Sequence, residues 1–318
     1  MIALPGTSPM ELIRGLYNLK PRHHGCVATI GAFDGVHLGH QALLAQLRAR
    51  GCELGLPTTV ISFEPTPREY FLGAQAPARL NRFREKFVGL AQANVDRFLC
   101  VRFDQRFRGM SAQAFAHDVL VDGLGARWVV VGHDFHFARG REGEIGMLRN
   151  LGAEFGFGVD TVAPVLVNGE RASSTLIRAA LAEGDLDRAG EFLGAPYHIT
   201  GRVVRGQRLG RTLGFPTVNL RPRRRVLPLM GIFAVRVTGA GLREAPAVAS
   251  LGTRPTVDGT EPLLEAYIFD YAGDLYGKHL RIDFIARLRD ELKFPSLDEL
   301  VIQMREDEAQ AKRILKHS

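Results

Sequence analysis

The chain has few cysteines and no long apolar stretch. Its three cysteines, Cys26, Cys52 and Cys100, are odd in number and lack the spacing of a metal site, so we expect reduced, mostly buried thiols. No apolar run has the length that a bilayer requires, which argues against a membrane span. The N-terminus lacks a basic segment followed by an apolar core, so we expect no signal peptide and a cytoplasmic protein.

Internal repeats and low-complexity segments are also missing, and the composition is not that of a disordered chain. The 318 residues are 46% hydrophobic and 24% charged, which is typical of a soluble globular protein with room for two domains. The net charge of +7 favours either nucleic acid or small phosphate-bearing substrates as ligands. The basic run 221–225 has no interleaved aromatic residues, so we predict a solvated loop rather than a nucleic-acid site.

Strand-like and helix-like segments alternate in the first part of the chain. This alternation predicts βαβ units with a parallel sheet, whose ligands bind beyond the carboxyl ends of the strands. Residues 1–25 are interpreted as a mixed lead-in, and residues 64–69 as a loop that leaves the sheet edge. The predicted strands cover residues 27–30, 57–63, 97–101, 127–132 and 159–163, and the predicted helices cover 41–50, 80–94, 111–121 and 144–155.

The first strand end carries the sequence GAFDGVHLGH, residues 31–40. His37 and His40 flank Gly39 where the strand passes into a helix, whose first turn offers unpaired N–H groups and a partial positive charge. Gly39 allows the backbone to approach phosphates closely. The HxGH pattern is the signature of nucleotidylyltransferases. In their reaction the α-phosphate of ATP is attacked and pyrophosphate leaves. The alternative is a pair of loop histidines without a chemical role.

A second anion-binding element is predicted at residues 171–178, RASSTLIR. Hydroxyl groups begin a helix between Arg171 and Arg178, and these two cations are suited to the β- and γ-phosphates. The alternative is an ordinary serine-capped helix with surface arginines. The hydroxyl groups belong to Ser173, Ser174 and Thr175.

Asp134 follows the fourth predicted strand, in the sequence GHDFHF. It either contacts substrate, orients a histidine, or only forms a turn. His23, His24, His133 and His136 are conceivable zinc ligands, but neither a cysteine nor a helical pairing supports such a site.

Beyond about residue 190 the pattern changes to short alternating strands separated by Gly and Pro. This pattern predicts a compact antiparallel barrel, with a Ser296 to Glu299 capping box that opens a C-terminal helix. We therefore predict two domains, 1–190 and 191–318. The predicted barrel strands cover residues 198–204, 232–237, 247–252, 264–269 and 280–285.

The second domain contains its own candidate site. Thr217 and Asn219 alternate along an extended segment, so their side chains face the same way and offer the hard oxygen ligands that Mg²⁺ prefers. Glu265 is a carboxylate within an apolar run and is a candidate general base, unless it faces solvent on a half-exposed strand. Arg289 is suited to a phosphate. Without Glu265, Thr217 and Asn219 would be interpreted as a polar strand end.

Over nearly its full length the chain resembles the bacterial bifunctional riboflavin kinase/FMN adenylyltransferases, also called FAD synthetases. The resemblance rests on GAFDGVHLGH (31–40), SSTLIR (173–178), GFPTVN (214–219), GTRPT (252–256), DLYG (274–277) and LRDELKF (288–294). It implies a Rossmann-like N-terminal domain that transfers AMP from ATP to FMN, and a six-stranded C-terminal barrel that phosphorylates riboflavin with ATP and Mg²⁺. Flavins are then substrates and products, and the chain is a monomer or a transient homo-oligomer with no nucleic-acid or membrane partner.

The resemblance also assigns roles to individual residues. Glu265 would be the kinase base, and Thr217 and Asn219 would bind the metal and nucleotide. His37 and His40 would contact ATP in the adenylyltransferase. The other ATP-binding candidates there are Gly31, Phe33, Asp34, Asp134, Arg171, Ser173, Ser174, Thr175 and Arg178, and those of the kinase are Gly206, Gly210, Gly214, Pro216 and Arg289.

Two loops depart from the family pattern. Thr66 stands where the family usually has a histidine, in Glu-Pro-His-Pro, and His136 stands where it usually has an arginine, in Asp-Phe-Arg-Phe-Gly. We expect adenylylation to survive with altered FMN affinity, because His136 can still donate a hydrogen bond. The alternatives are a protein with only the kinase active, or a basic nucleic-acid-binding protein that retains the fold.

Overall fold

The computed structural model describes residues 9–206, 213–256 and 259–316. The chain folds into two compact units. The first consists of the described residues up to Pro77 and of Asn81–Ala172, and the second of Ala78–Leu80 and the described residues from Ser173 onward. The functional division into 1–190 and 191–318 stays a prediction, because compactness does not define which residues serve which activity.

The first unit is built on a parallel sheet, as the sequence predicted, but the sheet has six strands rather than the five expected. In chain order its strands are β1 (Glu11–Arg14), β2 (Cys26–Ile30), β3 (Thr58–Glu64), β4 (Arg97–Arg102), β5 (Ala126–Gly132) and β6 (Gly158–Val162). Their spatial order is β1-β4-β3-β2-β5-β6, and all neighbouring pairs are parallel. A hairpin of β7 (Leu166–Val167) and β8 (Glu170–Arg171) follows.

Helices lie between these strands. They are α1 (Leu38–Leu54), α2 (Pro67–Leu72), α3 (Phe83–Gln92), α4 (Gln105–Arg108), α5 (Ala112–Ala114) and α6 (Ile145–Phe155). A π-helical segment, Phe115–Gly123, continues α5, and 3₁₀ turns occupy Leu16–Asn18, Pro21–His23, Gly73–Gln75 and Arg139–Arg141. Ser111 caps α5 by accepting a hydrogen bond from the Ala114 N–H at 3.1 Å.

The central strands are buried on both faces, which explains their continuous apolar runs. In β2, Cys26 and Ala28 pack into a core with Leu120 on one side of the sheet. Val27 points to the other side, into a core with Leu44 on α1. The strand ends at Ile30, and both cores therefore fix the position of the turn that begins at Gly31.

Two segments of the first unit differ from the sequence-based expectation. The lead-in contains β1, whose backbone pairs with β4 at the edge of the sheet. The expected loop at residues 64–69 becomes helical at Pro67, because Thr66 caps α2. The Thr66 hydroxyl accepts from the Glu69 N–H at 3.3 Å, and the Glu69 carboxylate accepts from the Thr66 N–H at 2.9 Å.

The second unit begins with two helices and continues as a closed barrel. The helices are α7 (Ser174–Glu183) and α8 (Leu186–Leu193), and the strands are β9 (His198–Val204), β10 (Thr217–Leu220), β11 (Gly231–Gly239), β12 (Leu242–Thr256), β13 (Gly259–Ile268) and β14 (His279–Arg289). The order β10-β13-β12-β11-β14-β9 closes the predicted six-stranded antiparallel barrel.

The C-terminal helix α9 (Leu297–Lys316) packs against the barrel. Ser296 caps it by accepting from the Glu299 N–H at 3.3 Å, as predicted. Ala311 and Leu315 bury their side chains beside Ala234 of β11. The helix therefore covers part of the outer surface of the barrel.

Two expectations about single side chains were wrong. Cys52 is exposed, and only Cys26 is fully buried, so the thiols are free but not mostly buried. Arg224, within the basic run expected to be a solvated loop, is buried and donates to the backbone carbonyl of Leu80 at 3.0 Å. Among the described residues, no helix is both long and apolar enough to cross a membrane.

Candidate active sites

The first candidate site is the turn between β2 and α1. His37 is the N-cap residue of α1, and His40 lies in the first turn of that helix. Their imidazole rings stack with a centroid distance of 3.8 Å. The helix N-terminus and both rings therefore occupy one place at the carboxyl end of the sheet, where parallel sheets bind ligands.

Little space surrounds the backbone at position 39. A Cβ atom at Gly39 would lie 3.1 Å from the His37 ring and 3.4 Å from the carbonyl oxygen of Ala172. Gly31 is similarly restricted, because its Cβ would lie 3.1 Å from the ring of Phe33. Both glycines of this predicted motif thus keep the aromatic rings in place.

Phe33 and Asp34, both predicted to bind ATP, are buried in the same turn. The Phe33 ring lies 5.0 Å from the ring of His40, centroid to centroid. The Asp34 carboxylate accepts a hydrogen bond from the Asn81 N–H at 2.8 Å. In this structure, therefore, both side chains support the shape of the turn.

His40 is held in its neutral form. Burial lowers the pKa of His40 well below its ordinary value, and the neighbouring His37 and Lys86 lower it further. The Nδ1 atom of His40 is buried and has no hydrogen-bond partner among the described residues. A proton at that atom would be a buried donor without an acceptor, which is costly.

Asp134 and Arg171, predicted separately, come together in the first unit. The Arg171 guanidinium lies 2.8 Å from the Asp134 carboxylate, and both side chains are about half exposed. The hydrogen bond from Arg171 lowers the pKa of Asp134, although partial burial acts in the opposite direction. The Nδ1 atom of His136 lies 2.8 Å from the backbone carbonyl oxygen of Asp134. His136, which departs from the family pattern, therefore adjoins this ion pair.

The predicted serine–arginine helix is α7, in the second unit. Ser173 caps it and accepts from the Leu176 N–H at 3.3 Å, while Thr175 is exposed. The Arg178 guanidinium donates to the carbonyl oxygens of Ala78 at 2.6 Å and Ser174 at 3.0 Å. Arg178 thus binds backbone in this structure, and its phosphate-binding role, like that of Ser174, stays a prediction.

The second candidate site is a row of polar residues across three strands of the barrel. Asn219 of β10 lies directly opposite Glu265 of β13, and Glu265 lies opposite Ser250 of β12. Registered partners in antiparallel strands share a face, so the three side chains are neighbours. Leu264 and Ala266, which flank Glu265, are fully buried. Glu265 therefore lies on the outer face of the barrel.

Thr217 is two residues from Asn219 on β10 and shares its face, as predicted. A Cβ atom at Gly206 would lie 2.5 Å from the Asn219 side chain, so a larger residue there would displace Asn219. Gly214 has a φ of 85°, a conformation that favours glycine, and precedes the exposed Pro216. Gly210 lies outside the described residues.

Arg289, the predicted phosphate ligand, has a protein partner. Its guanidinium binds the Asp307 carboxylate on α9 with distances of 2.7 and 2.9 Å. This largely buried pair links β14 to the C-terminal helix. Phosphate binding by Arg289 would compete with that link, and the role stays a prediction.

Sequence reasoning missed two residues near these sites. Ser250 could not be predicted from the sequence, because it lies beside Glu265 only through the pairing of β12 with β13. Lys86 is buried beside the first site. Its signal was available, since it lies three residues after Phe83 and four before Leu90, on the apolar face of the predicted helix.

Comparisons with known proteins agree with the two-site arrangement. The FAD synthetase family model matches residues 19–176, and the riboflavin kinase family model matches residues 193–315. Two relatives are bifunctional riboflavin kinase/FMN adenylyltransferases. The protein from Escherichia coli K12 is 48% identical to this chain, over 95% of this chain and 97% of that protein. The protein from Pseudomonas fluorescens is 47% identical, over 96% of this chain and 98% of that protein.

A solved structure from Streptococcus pneumoniae has the same architecture. It is described as a macrolide-efflux protein, is 30% identical, and matches with a TM-score of 0.82 over 96% of this chain and 99% of that one. The fold and sites define a protein that joins an FAD synthetase unit to a riboflavin kinase unit. The chain belongs to the bifunctional riboflavin kinase/FMN adenylyltransferase family.

Proposed function

We propose that this chain makes FMN from riboflavin and FAD from FMN, using one ATP in each step. The observation that carries this proposal is the presence, in one chain of this family, of a stacked histidine pair at a helix N-terminus and an asparagine–glutamate pair on a closed barrel. Each arrangement supplies the groups that one of the two reactions needs.

In the kinase reaction, Glu265 accepts the proton of the 5′-hydroxyl of riboflavin. The hydroxyl oxygen then forms a bond to the γ-phosphorus of ATP, the bond from that phosphorus to the β-bridging oxygen breaks, and ADP leaves. The position of Glu265 on the outer face, opposite Asn219, supports this role.

The donor set of the kinase site fits a magnesium ion. Thr217 offers a hydroxyl oxygen and Asn219 an amide oxygen, both hard ligands. We infer that these two side chains hold Mg²⁺ together with the nucleotide. The bound ion would neutralise the charge of the phosphates.

In the adenylyltransferase reaction, a phosphate oxygen of FMN attacks the α-phosphorus of ATP. The bond from that phosphorus to the leaving oxygen breaks, and pyrophosphate departs. His37, His40 and the first N–H groups of α1 donate hydrogen bonds to the charge that develops, which is typically worth about 10²–10³-fold per donor. The neutral state of His40 supports donation from Nε2.

We expect Asp134 and Arg171 to adjoin the substrates of this first reaction, with Ser173, Ser174, Thr175 and Arg178 assisting. Thr66 and His136 should alter FMN affinity without abolishing the reaction. Because ATP is consumed twice, the cytoplasm is the expected compartment. We also expect a monomer or transient homo-oligomer, with neither nucleic acid nor membrane as partner.

The test is chromatography of the products formed from riboflavin, ATP and Mg²⁺. The proposal expects FMN first and FAD later, with pyrophosphate released in step with FAD. A protein that accumulates FMN and never forms FAD, even from added FMN, would leave only the kinase. Absence of flavin turnover together with a salt-dependent shift of labelled RNA or DNA would replace the proposal with nucleic-acid binding.

A further inference from the structure

Lysine is rare in the first part of the chain, and one lysine is buried. Among residues 1–190 only Lys20 and Lys86 are lysines. Lys20 is exposed, whereas Lys86 is only 1% exposed and is among the largest fully buried side chains. An ammonium group loses its hydration on burial, so lysines are almost never fully buried without a specific partner or role.

The Lys86 ammonium group is anchored close to the first candidate site. From α3, its Nζ atom donates to the hydroxyl of Ser62 on β3 at 3.2 Å. That hydroxyl in turn donates to the backbone carbonyl of Ala32 at 3.2 Å. Ala32 lies between the end of β2 and Phe33, whose ring contacts His40. A chain of two hydrogen bonds therefore connects the ammonium group to the histidine-bearing turn.

We propose that Lys86 is a positioning residue of the adenylyltransferase site: its ammonium group fixes a positive charge beneath the turn that carries His37 and His40. This inference rests on the proposed role of that turn in binding ATP. The fixed charge attracts the polyphosphate without touching it and without depending on protonation of an imidazole.

The stacked rings explain why such a charge is useful. Two imidazolium rings 3.8 Å apart would repel each other, so the pair is not suited to carry the charge itself. Besides burial, which has the largest effect, two groups lower the pKa of His40: His37, from its own helix, and Lys86, from α3. Lys86 thus supplies a cation and leaves His40 as a neutral donor.

The first test compares how FAD formation depends on ATP concentration in matched variants. Lys86→Met removes the charge with little change in volume and should raise KM for ATP about tenfold, the effect of one unit charge acting over about 12 Å at an effective dielectric constant near 20. Lys86→Arg keeps the charge and should recover most of the affinity. Lys20→Met removes an exposed charge from the same unit and should have no effect, and riboflavin phosphorylation should be unchanged in all three.

The second test follows the His40 ring by NMR as pH is varied. In Lys86→Met the His40 pKa should rise towards its ordinary value, whereas Lys86→Arg, which keeps the charge, should leave it low. If Lys86→Met does not fold, as judged by circular dichroism, Lys86→Gln takes its place, because it can still bond Ser62 without a charge.

The outcomes separate this inference from the proposed function. If the wild-type chain forms FAD and a folded uncharged variant keeps both the KM for ATP and the His40 titration unchanged, Lys86 has no positioning role. If the wild-type chain forms no FAD from FMN and ATP, the proposed function of the first site itself is wrong. Weakened ATP use in the variant, restored by Lys86→Arg, supports the inference.

Discussion

At the scale of single residues, Glu265 is the group whose chemistry is most sharply defined. It lies opposite Asn219 in the register of β10 and β13, and we propose that its carboxylate accepts the proton of the riboflavin hydroxyl. Glu265→Gln should lower FMN formation from riboflavin by about 10²–10⁴-fold, as for loss of a general base. FAD formation from supplied FMN should be retained. Glu261→Gln, on the same strand, is the matched control and should leave both rates unchanged.

His40 should give the opposite pattern. His40→Asn removes one donor from the stacked pair and should lower FAD formation from FMN by about 10²–10³-fold, while riboflavin phosphorylation continues. His24→Asn changes an exposed histidine of the same unit and serves as the control. If His40→Asn and Glu265→Gln each abolished both activities in folded protein, the assignment of two separate sites would be wrong.

The neutral state of His40 also has a consequence for stability. Because the folded-state pKa lies below the ordinary value of 6.5, the unfolded chain binds a proton first as pH falls. The free energy of unfolding should therefore decrease below about pH 6.5, by at most about 1.4 kcal/mol per pH unit for this one group. The fluorescence of Trp128, the only tryptophan, can monitor unfolding of the first unit. His40→Gln should show a shallower pH dependence, and an unchanged slope would contradict the assignment.

At the scale of elements, the sequence predicted those strands and turns whose determinants are local. Residues 27–30, 57–63 and 127–132 are rich in apolar and β-branched side chains because β2, β3 and β5 are buried on both faces. The glycines and histidines of the first turn were also recognisable, since the space at Gly39 is limited mainly by His37, a residue of the same motif.

The missed elements depend on distant partners or compete with other signals. β1 is a four-residue edge strand with a charged residue at each end, and only its pairing with β4 defines it. At Thr66, the prolines suggested a loop, but Pro67 occupies the first helical position, where its missing N–H has no cost. Ser250 and the partnership of Arg289 with Asp307 depend on strand register and on packing of α9, which spacing along the sequence does not reveal.

The attachment of α9 should depend strongly on Asp307. Asp307→Asn leaves the largely buried Arg289 guanidinium without its counter-charge, which typically costs about 3–5 kcal/mol. Urea unfolding followed by far-UV circular dichroism measures this loss. Glu306→Gln, an exposed neighbour on the same helix, should change the free energy of unfolding by less than about 0.5 kcal/mol. Equal effects of the two changes would show that the ion pair does not secure the helix.

At the scale of the whole molecule, the chain brings together two reactions that share an intermediate. FMN is the product proposed for the barrel and the acceptor proposed for the histidine-bearing turn. The histidine pair and Glu265 lie in different compact units, each with its own hydrophobic core. The fold therefore does not require that one chain carry out both reactions on the same flavin molecule.

A mixture of two single variants tests this independence. Glu265→Gln chains should fail to make FMN, and His40→Asn chains should fail to adenylylate it, so neither alone converts riboflavin to FAD. Mixed in equal amounts with riboflavin, ATP and Mg²⁺, they should restore FAD formation, because FMN released by the His40→Asn chain reaches the intact first site of the other. A chain carrying both changes is the control and should remain inactive. If the mixture forms no FAD, although Glu265→Gln alone converts added FMN, then the His40→Asn chain does not release the FMN that it makes, and transfer must occur within a single chain.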